Sequence, residues 1–236
     1  MKKSISVIVP ALNEQEKLEA AIQTVKTSTE KYFDDVEILI FNDGSTDQTG
    51  KIADRLAKQD PRIRVTHHEK PKNLGAVYKA GVKQATKTFL IMIPGDNENP
   101  SSSIEPVLAV AGDADIIVPY TTNQHARPPL RRLLSNGFVT MLNLASGCRL
   151  RYYNGTVLHR TALVRQIAIE TDGFGYQAET LVKLLKAKHS FKEVPIEISV
   201  DQAGRKSRAL NLRNLAAVGK FLLSVAFDSQ YKSKSY

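Results

Sequence analysis

Carboxylates gather in three short polar segments of the first hundred residues, each directly behind an apolar run. Residues 5–9 lead into Pro10-Ala11-Leu12-Asn13-Glu14, residues 36–41 into Asn42-Asp43-Gly44-Ser45-Thr46-Asp47, and residues 89–93 into Pro94-Gly95-Asp96-Asn97-Glu98. Asp96 and Glu98 offer hard oxygen ligands two positions apart on one loop. That spacing suits Mg²⁺ or Mn²⁺ bridging the protein and the two phosphates of a leaving nucleotide. Asp43 can accept hydrogen bonds from a base or a ribose, and Gly44, lacking a Cβ, admits close approach of a backbone. In an open α/β sheet the carboxyl ends of parallel strands converge on one crevice, where ligands bind. The three segments therefore predict one site for a nucleotide and its metal. Taken singly, each has a plainer reading as a turn, a helix cap or a solvated charge.

The stretches between these segments carry the elements that must position them. Asn13 is placed to cap a helix over residues 14–29, with Leu18, Ala21, Ile22 and Val25 at helical spacing. Further helices are expected from Ser45-Thr46-Asp47 through Ala57, and from Asn73 through Ala85. Strands are expected at residues 36–41, 62–67 and 89–93. The repeated strand–helix–strand order predicts a mostly parallel sheet covered by helices on both faces. Beyond it, helices are expected at 100–110, 130–145, 162–169 and 178–187, and strands at 115–119, 157–158 and 194–200. Residues 121–129 and 202–208 read as polar loops, and 211–227 as an amphipathic helix before a frayed tail. No linker or repeat divides the chain. The expectation is one domain over 1–236, with a nucleotide-binding half (1–120), an acceptor half (121–210) and the terminal helix and tail (211–236).

Composition narrows the class. The 236 residues are 42% hydrophobic and 24% charged, enough for a sizeable core, and no apolar run reaches the ~20 residues that span a bilayer. Lys2 and Lys3 precede only a short apolar stretch that ends at Pro10, which reads as a first strand and not a signal peptide. The single cysteine, Cys148, leaves no internal disulfide and suits the cytoplasm. The net charge of +9 calls for anionic partners, and its arginines lie mostly in the second half. The five histidines form no ligand pattern and read as structural or solvated.

Four motifs in order, VIVPALNE at 7–14, NDGSTD at 42–47, NLGAVYKAG at 73–81 and PGDNEN at 94–99, resemble those of family 2 glycosyltransferases with the GT-A fold. The resemblance covers most of the chain. It implies an α/β, Rossmann-like, mostly parallel sheet and an inverting, metal-dependent hexosyl transfer. By matching positions it places Pro10, Ala11, Asn13, Glu14, Asp43, Gly44, Ser45, Lys72, Asn73, Gly75 and Asp96 at a UDP- or GDP-sugar donor. The metal, Mg²⁺ or Mn²⁺, would fall to Asp96, Glu98 and Gln177, with Asp-Asn-Glu standing where the family has Asp-x-Asp.

The second half is similar to the polyprenol-phosphate sugar transferases of that family, such as the dolichol-phosphate mannose synthases. Gln177 and Glu179 match their Gln-x-Glu element, so the resemblance assigns catalysis to Asp96, Gln177 and Glu179. Arg127, Arg131 and Arg132 match a basic region for the acceptor phosphate, and Ser207-Arg208 stands where Ser-Lys is usual. Arginine keeps the charge there and changes its geometry. Asn154-Gly155 departs from the family's Asp-containing turn.

A phosphate acceptor arrives as an anion and needs little or no general base, whereas a sugar hydroxyl requires one. The Glu-Asp pair of many hydroxyl-acting members is missing near Glu179, which favours polyprenyl phosphate over a hydroxyl of an envelope glycan. A lipid acceptor would be met at the cytoplasmic membrane face. The apolar stripe of residues 211–227 admits two readings, packing on the sheet or lying at a bilayer. A non-catalytic membrane or nucleic-acid binder is the rival class. Nucleic acid is not expected, because the basic residues are not interleaved with aromatics in a known binding motif.

Overall fold

The computed structural model describes residues 3–123 and 128–197, apart from the side chains of Leu130 and Arg131. Strands β1 (Ser4–Ala11), β2 (Asp35–Asp43), β3 (Ile63–His68) and β4 (Phe89–Met92) alternate with helices α1 (Leu18–Thr29), α2 (Thr49–Gln59) and α3 (Leu74–Gln84). There follow α4 (Ser101–Ala109), β5 (Ile116–Thr121), α5 (Pro129–Ser146), β6 (Leu158–Arg160), α6 (Thr161–Val164), α7 (Tyr176–Lys186) and β7 (Phe191–Ile196). All seven strands join one sheet in the order β3-β2-β1-β4-β6-β5-β7. Pairing is parallel except at β6, which runs antiparallel to both β4 and β5.

Alternation along the strands builds two cores. Ile5, Val7 and Val9 of β1 and Ile38 and Ile40 of β2 turn to one face, under Leu18, Ile22 and Val25 of α1, Ala53 of α2 and Val107 of α4. Ile8, Leu39 and Phe41 turn to the other, against Val77 and Tyr78 of α3, Leu142 of α5 and Leu181 and Val182 of α7. Each of the valine, leucine, isoleucine and phenylalanine side chains among them stabilises the fold by about 1.5–3 kcal/mol when taken fully out of water. The central strands are thus held from both sides, and their polar carboxyl ends share one edge.

Three expected elements are corrected. The first helix begins at Leu18, not at Glu14, and Asn13 does not cap it. Asn13 instead adopts a left-handed φ of 56° and spends its side chain on a neighbouring loop, while residues 14–17 form a turn closed on the Glu14 carbonyl. The helix expected at 162–169 is a single turn, Thr161–Val164. Just after it, the Arg165 guanidinium donates to the carbonyls of Val82, Lys83 and Ala85 at the end of α3. A cation suits that negative helix end, and the contact draws the chain off its helical path. The last strand starts earlier than 194, at Phe191, because Phe191 is in register with Ile116 of β5. Arg127, Ser207, Arg208, the 202–208 loop and the 211–227 helix lie outside the described residues.

Candidate functional site

The first two motif loops are laced together at the carboxyl edge of β1 and β2. The Asn13 amide donates to Ser45 Oγ at 3.0 Å, and Asn13 Oδ1 accepts the Thr46 N–H at 2.9 Å. The Glu14 amide donates to Thr49 Oγ1 at 2.8 Å, Gln15 to Asp47 Oδ2 at 3.3 Å, and Gln48 to Gln15 Oε1 at 3.1 Å. Asn13, Glu14 and Ser45 therefore build a wall, with Glu14 buried and Asn13 exposed on it. Pro10 and Ala11 are buried beneath, and the Pro10 carbonyl accepts the Gly95 N–H at 2.9 Å. The third motif loop is thereby tied to the first.

Asp43 ends β2 and organises the segment that leads into α3. Its Oδ1 accepts the Lys72 N–H at 2.9 Å and its Oδ2 the Asn73 N–H at 3.1 Å. His68 Nδ1 stands 2.7 Å from Oδ1, and since a carboxylate only accepts, that nitrogen carries the proton. Gly44 has φ 76°, and a Cβ there would meet Pro71 N at 2.6 Å, so only glycine lets residues 70–71 lie so close. Gly75 is needed for a different reason. Its N–H donates to Asp172 O at 2.8 Å, and a Cβ would collide with the Thr171 carbonyl. His68 was legible only as one of two adjacent histidines at a strand end. Its pairing with Asp43 follows from the β2–β3 register.

Glu179, on α7, is 1% exposed and supports the same segment from below. Its carboxylate accepts the N–H groups of Glu170 and Thr171 at 2.9 Å each and the Lys183 ammonium at 2.7 Å. Burial pushes its pKa up, but these donors outweigh burial and hold it below the ordinary glutamate value. The structure thus sets Glu179 to position residues 170–172 against Gly75, with its oxygens already engaged.

Gln177 is also buried, its amide nitrogen 3.2 Å from His159 Nε2. His159 sits in β6 between Leu90 and Ile116, and its Nδ1 has no partner among the described residues. Burial alone lowers this imidazole to about 3. The unfolded chain takes up the proton near pH 6.5, so folding stability is present above that pH and is lost as pH falls toward the folded value. Urea unfolding should show wild-type stability falling from pH 7 to pH 5 by up to about 1.4 kcal/mol per pH unit. His159→Gln should flatten that slope. Equal slopes in the two proteins would show that His159 does not carry it.

Residues 94–99 bring Asp96 and Glu98, both half-buried, to the edge, where Asp96 Oδ1 accepts the Glu98 N–H at 3.0 Å. No group of three or more His, Cys, Asp or Glu side chains among the described residues can hold a metal without other ligands. Two carboxylates, completed by phosphate and water, fit Mg²⁺ or Mn²⁺, which dehydrate reluctantly and take much of their shell from substrate.

The same loop reaches the second half of the chain through Asn99, whose Oδ1 lies 3.3 Å from Thr156 Oγ1. Tyr153, three residues earlier, donates its hydroxyl to Asn143 Oδ1 of α5 at 2.8 Å, and Asn143 also clamps both backbone groups of Leu150. Asn99 closes the PGDNEN motif, whereas Thr156, Tyr153 and Asn143 belong to none of the motifs. They connect α5, which carries Arg131 and exposed Arg132 near its start, to the carboxylate loop. The first turn of α5 holds no acidic residue.

Residues 6–167 match the model of the family described as glycosyl transferase family 2. The polyprenol monophosphomannose synthase of Mycolicibacterium smegmatis is 30% identical over 224 residues, 88% of this chain and 82% of that protein. The Bacillus subtilis glycosyltransferase EpsH is 32% identical over 116 residues, 49% of this chain, and the chain spans only 33% of its length. Among solved structures, glucosyl-3-phosphoglycerate synthase from Mycobacterium tuberculosis, in complex with UDP, superposes with a TM-score of 0.68. That likeness covers 97% of this chain and 80% of the other at 19% identity, and it is one of fold: the GT-A arrangement that the motifs implied.

Proposed function

Because the chain belongs to glycosyl transferase family 2, we propose that it transfers a sugar, with inversion, from a nucleotide-sugar donor to a polyprenyl phosphate. The observation that supports this most directly is the hydrogen-bonded convergence of four loops, 10–15, 43–49, 70–75 and 94–99, on one sheet edge. In this reading Pro10, Ala11, Asn13, Glu14 and Ser45 frame the nucleoside as one wall, continued by Asp43 and Gly44. Lys72, Asn73 and Gly75 follow along the same wall. Asp96 and Glu98 would hold the Mg²⁺ or Mn²⁺, which neutralises charge on the departing diphosphate. Gln177, buried against His159, acts in this reading from behind the site.

The acceptor follows from the state of Glu179. A hydroxyl acceptor must lose a proton as it attacks C1, and a carboxylate saturated by two backbone amides and a lysine is poorly placed to take it. A phosphate oxygen attacks C1 as an anion, forming the new C–O bond as the nucleoside diphosphate leaves. Arg131 and Arg132, with Arg127, Ser207 and Arg208, would hold that phosphate. The relative from Mycolicibacterium smegmatis is named for a polyprenol product.

Helix α5 adds a physical reason for a lipid. Leu133, Met141 and Leu144 are 69%, 50% and 80% exposed, on the helix that also presents Arg132. Apolar side chains beside a cation suit an anionic bilayer surface. No helix among the described residues is long and apolar enough to cross a membrane. This reading places the reaction in the cytoplasm, at the membrane face.

The test pairs transfer to a short polyprenyl phosphate and to free saccharides with flotation on anionic vesicles. Transfer to the lipid phosphate, with flotation weakened in Leu133→Ser/Leu144→Ser, is the expected result. Transfer only to a saccharide hydroxyl, without flotation, would replace the lipid reading and make Glu179 the leading candidate for general base.

A further inference from the structure

We propose that Arg151 binds the phosphate of an anionic phospholipid headgroup and so docks this face of the protein on the bilayer, a site that rests on the lipid reading above and gives it a residue. Between Asp115 and Glu170 the chain has no aspartate, glutamate or lysine, and its cations there are arginines. Two of them serve the fold, Arg160 beside Asp115 and Arg165 on the carbonyls that end α3. Arg132, Arg149 and Arg151 are exposed.

Arg151 is held in one orientation. Its guanidinium lies over the Tyr120 ring, with Cζ 4.5 Å from the ring centroid. Its backbone N–H donates to Glu193 Oε1 at 2.7 Å. Its Nε stands 3.7 Å from Glu193 Oε2, an ion pair beyond hydrogen-bond reach. The segment around it is fixed as well. Asn143 of α5 clamps Leu150, and Gly155 packs on Pro119, where a Cβ would collide. A guanidinium bound by its face keeps its in-plane N–H groups for a ligand. With Glu193 on the Nε side, the two Nη groups make an open fork, and the side chain is 63% exposed. Such a fork matches two oxygens of one phosphate.

The neighbourhood selects a membrane phosphate. Leu133, Leu134, Met141 and Leu144 are exposed along α5 at helical spacing, from its first turn to its last. In sequence Arg132 precedes this stripe, and Arg149 and Arg151 follow it. An apolar stripe lying flat at a bilayer enters the boundary between headgroups and chains, where flanking arginines meet phosphates. A tyrosine ring suits the same depth. The fork also stands to one side of the donor. Strand β6 separates β5, which carries Tyr120, from β4, which leads into the carboxylate loop, a span of about 10 Å.

Flotation of the full chain on phosphatidylglycerol and on phosphatidylcholine vesicles, beside transfer to a short polyprenyl phosphate in detergent, tests this. The wild type should prefer phosphatidylglycerol. Arg151→Ala should weaken that binding by about tenfold or more, the scale of hydrogen bonds to a charged group, and leave the acceptor KM unchanged. Arg151→Lys keeps the charge without the fork and should recover only part of the loss. Tyr120→Leu, which removes the ring beneath, should fall between wild type and Arg151→Ala. Equal binding by wild type and Arg151→Ala, or full rescue by lysine, would overturn the site. A raised acceptor KM with flotation intact would give the phosphate to the acceptor and overturn the headgroup assignment. Flotation without transfer to the lipid phosphate would sink the lipid-acceptor reading and leave this site standing, and transfer without flotation would do the reverse.

Discussion

Asp96→Asn is expected to abolish sugar transfer while leaving the fold unchanged. The side chain sits on a loop and accepts the Glu98 N–H, which an asparagine Oδ1 can still accept. Local geometry therefore survives while the charge is lost. Glu98 alone is then left to anchor a divalent cation against a diphosphate, and several kcal/mol of charge stabilisation go with the missing carboxylate. At 1.36 kcal/mol per factor of ten, the rate should fall by about a thousandfold or more. Transfer assays on the variant, with a thermal melt to confirm the fold, measure this. Turnover at the wild-type rate, or full wild-type activity in excess chelator, would sink the assignment of Asp96 and Glu98 to the metal.

The second large effect is on stability. Glu179→Ala leaves the Glu170 and Thr171 amides without their acceptor, and leaves Lys183, 10% exposed, with the Ala168 carbonyl at 2.6 Å and the Glu170 carboxylate at 3.9 Å. Each buried donor left without its acceptor costs about 1–3 kcal/mol, so the two amides together set the size of the loss. The loss should spread to the donor side, since the strap at 170–172 holds Gly75.

Glu179→Gln isolates the charge, and its pH dependence has a definite sign. The folded pKa is held below the ordinary value, so the stabilisation is complete above the unfolded pKa of about 4.3 and fades as pH falls through the folded one. The wild type and Glu179→Gln should therefore converge in acid and separate near neutrality, as read by urea unfolding. A Glu179→Gln protein as stable as wild type at pH 7, but defective in transfer to a hydroxyl, would show a base and not a strut.

Much of this protein was legible before any coordinates. A strand followed by a polar loop is a local pattern, since side chains alternate along an extended chain and the loop residues need only near neighbours to declare themselves. The segments at Pro10, Asn42 and Pro94 could thus be placed at strand ends, and their order pointed to one family and fold. The three-layer arrangement followed from the same alternation, because Ile5, Val7 and Val9 must be covered on one side and Ile8 on the other.

What the local pattern could not carry was pairing between distant residues. The first helix starts one turn later than placed, without an Asn13 cap, because Asn13 found partners at Ser45 and Thr46, thirty-odd residues on, and a side chain committed there cannot also cap. Gln177 and Glu179 were marked by position in a motif. Their burial depends on which face of α7 meets the sheet and on the antiparallel strand β6 that brings His159 beneath it. The bond from His68 to Asp43 depends on strand register, which one residue of slip would destroy while leaving every local pattern intact. Sequence determined which chemical groups this protein has and at which edge they gather. The tertiary structure decided which of them are already engaged, because hydrogen bonds are won at distances of about 3 Å between segments whose separation along the chain says nothing of their meeting.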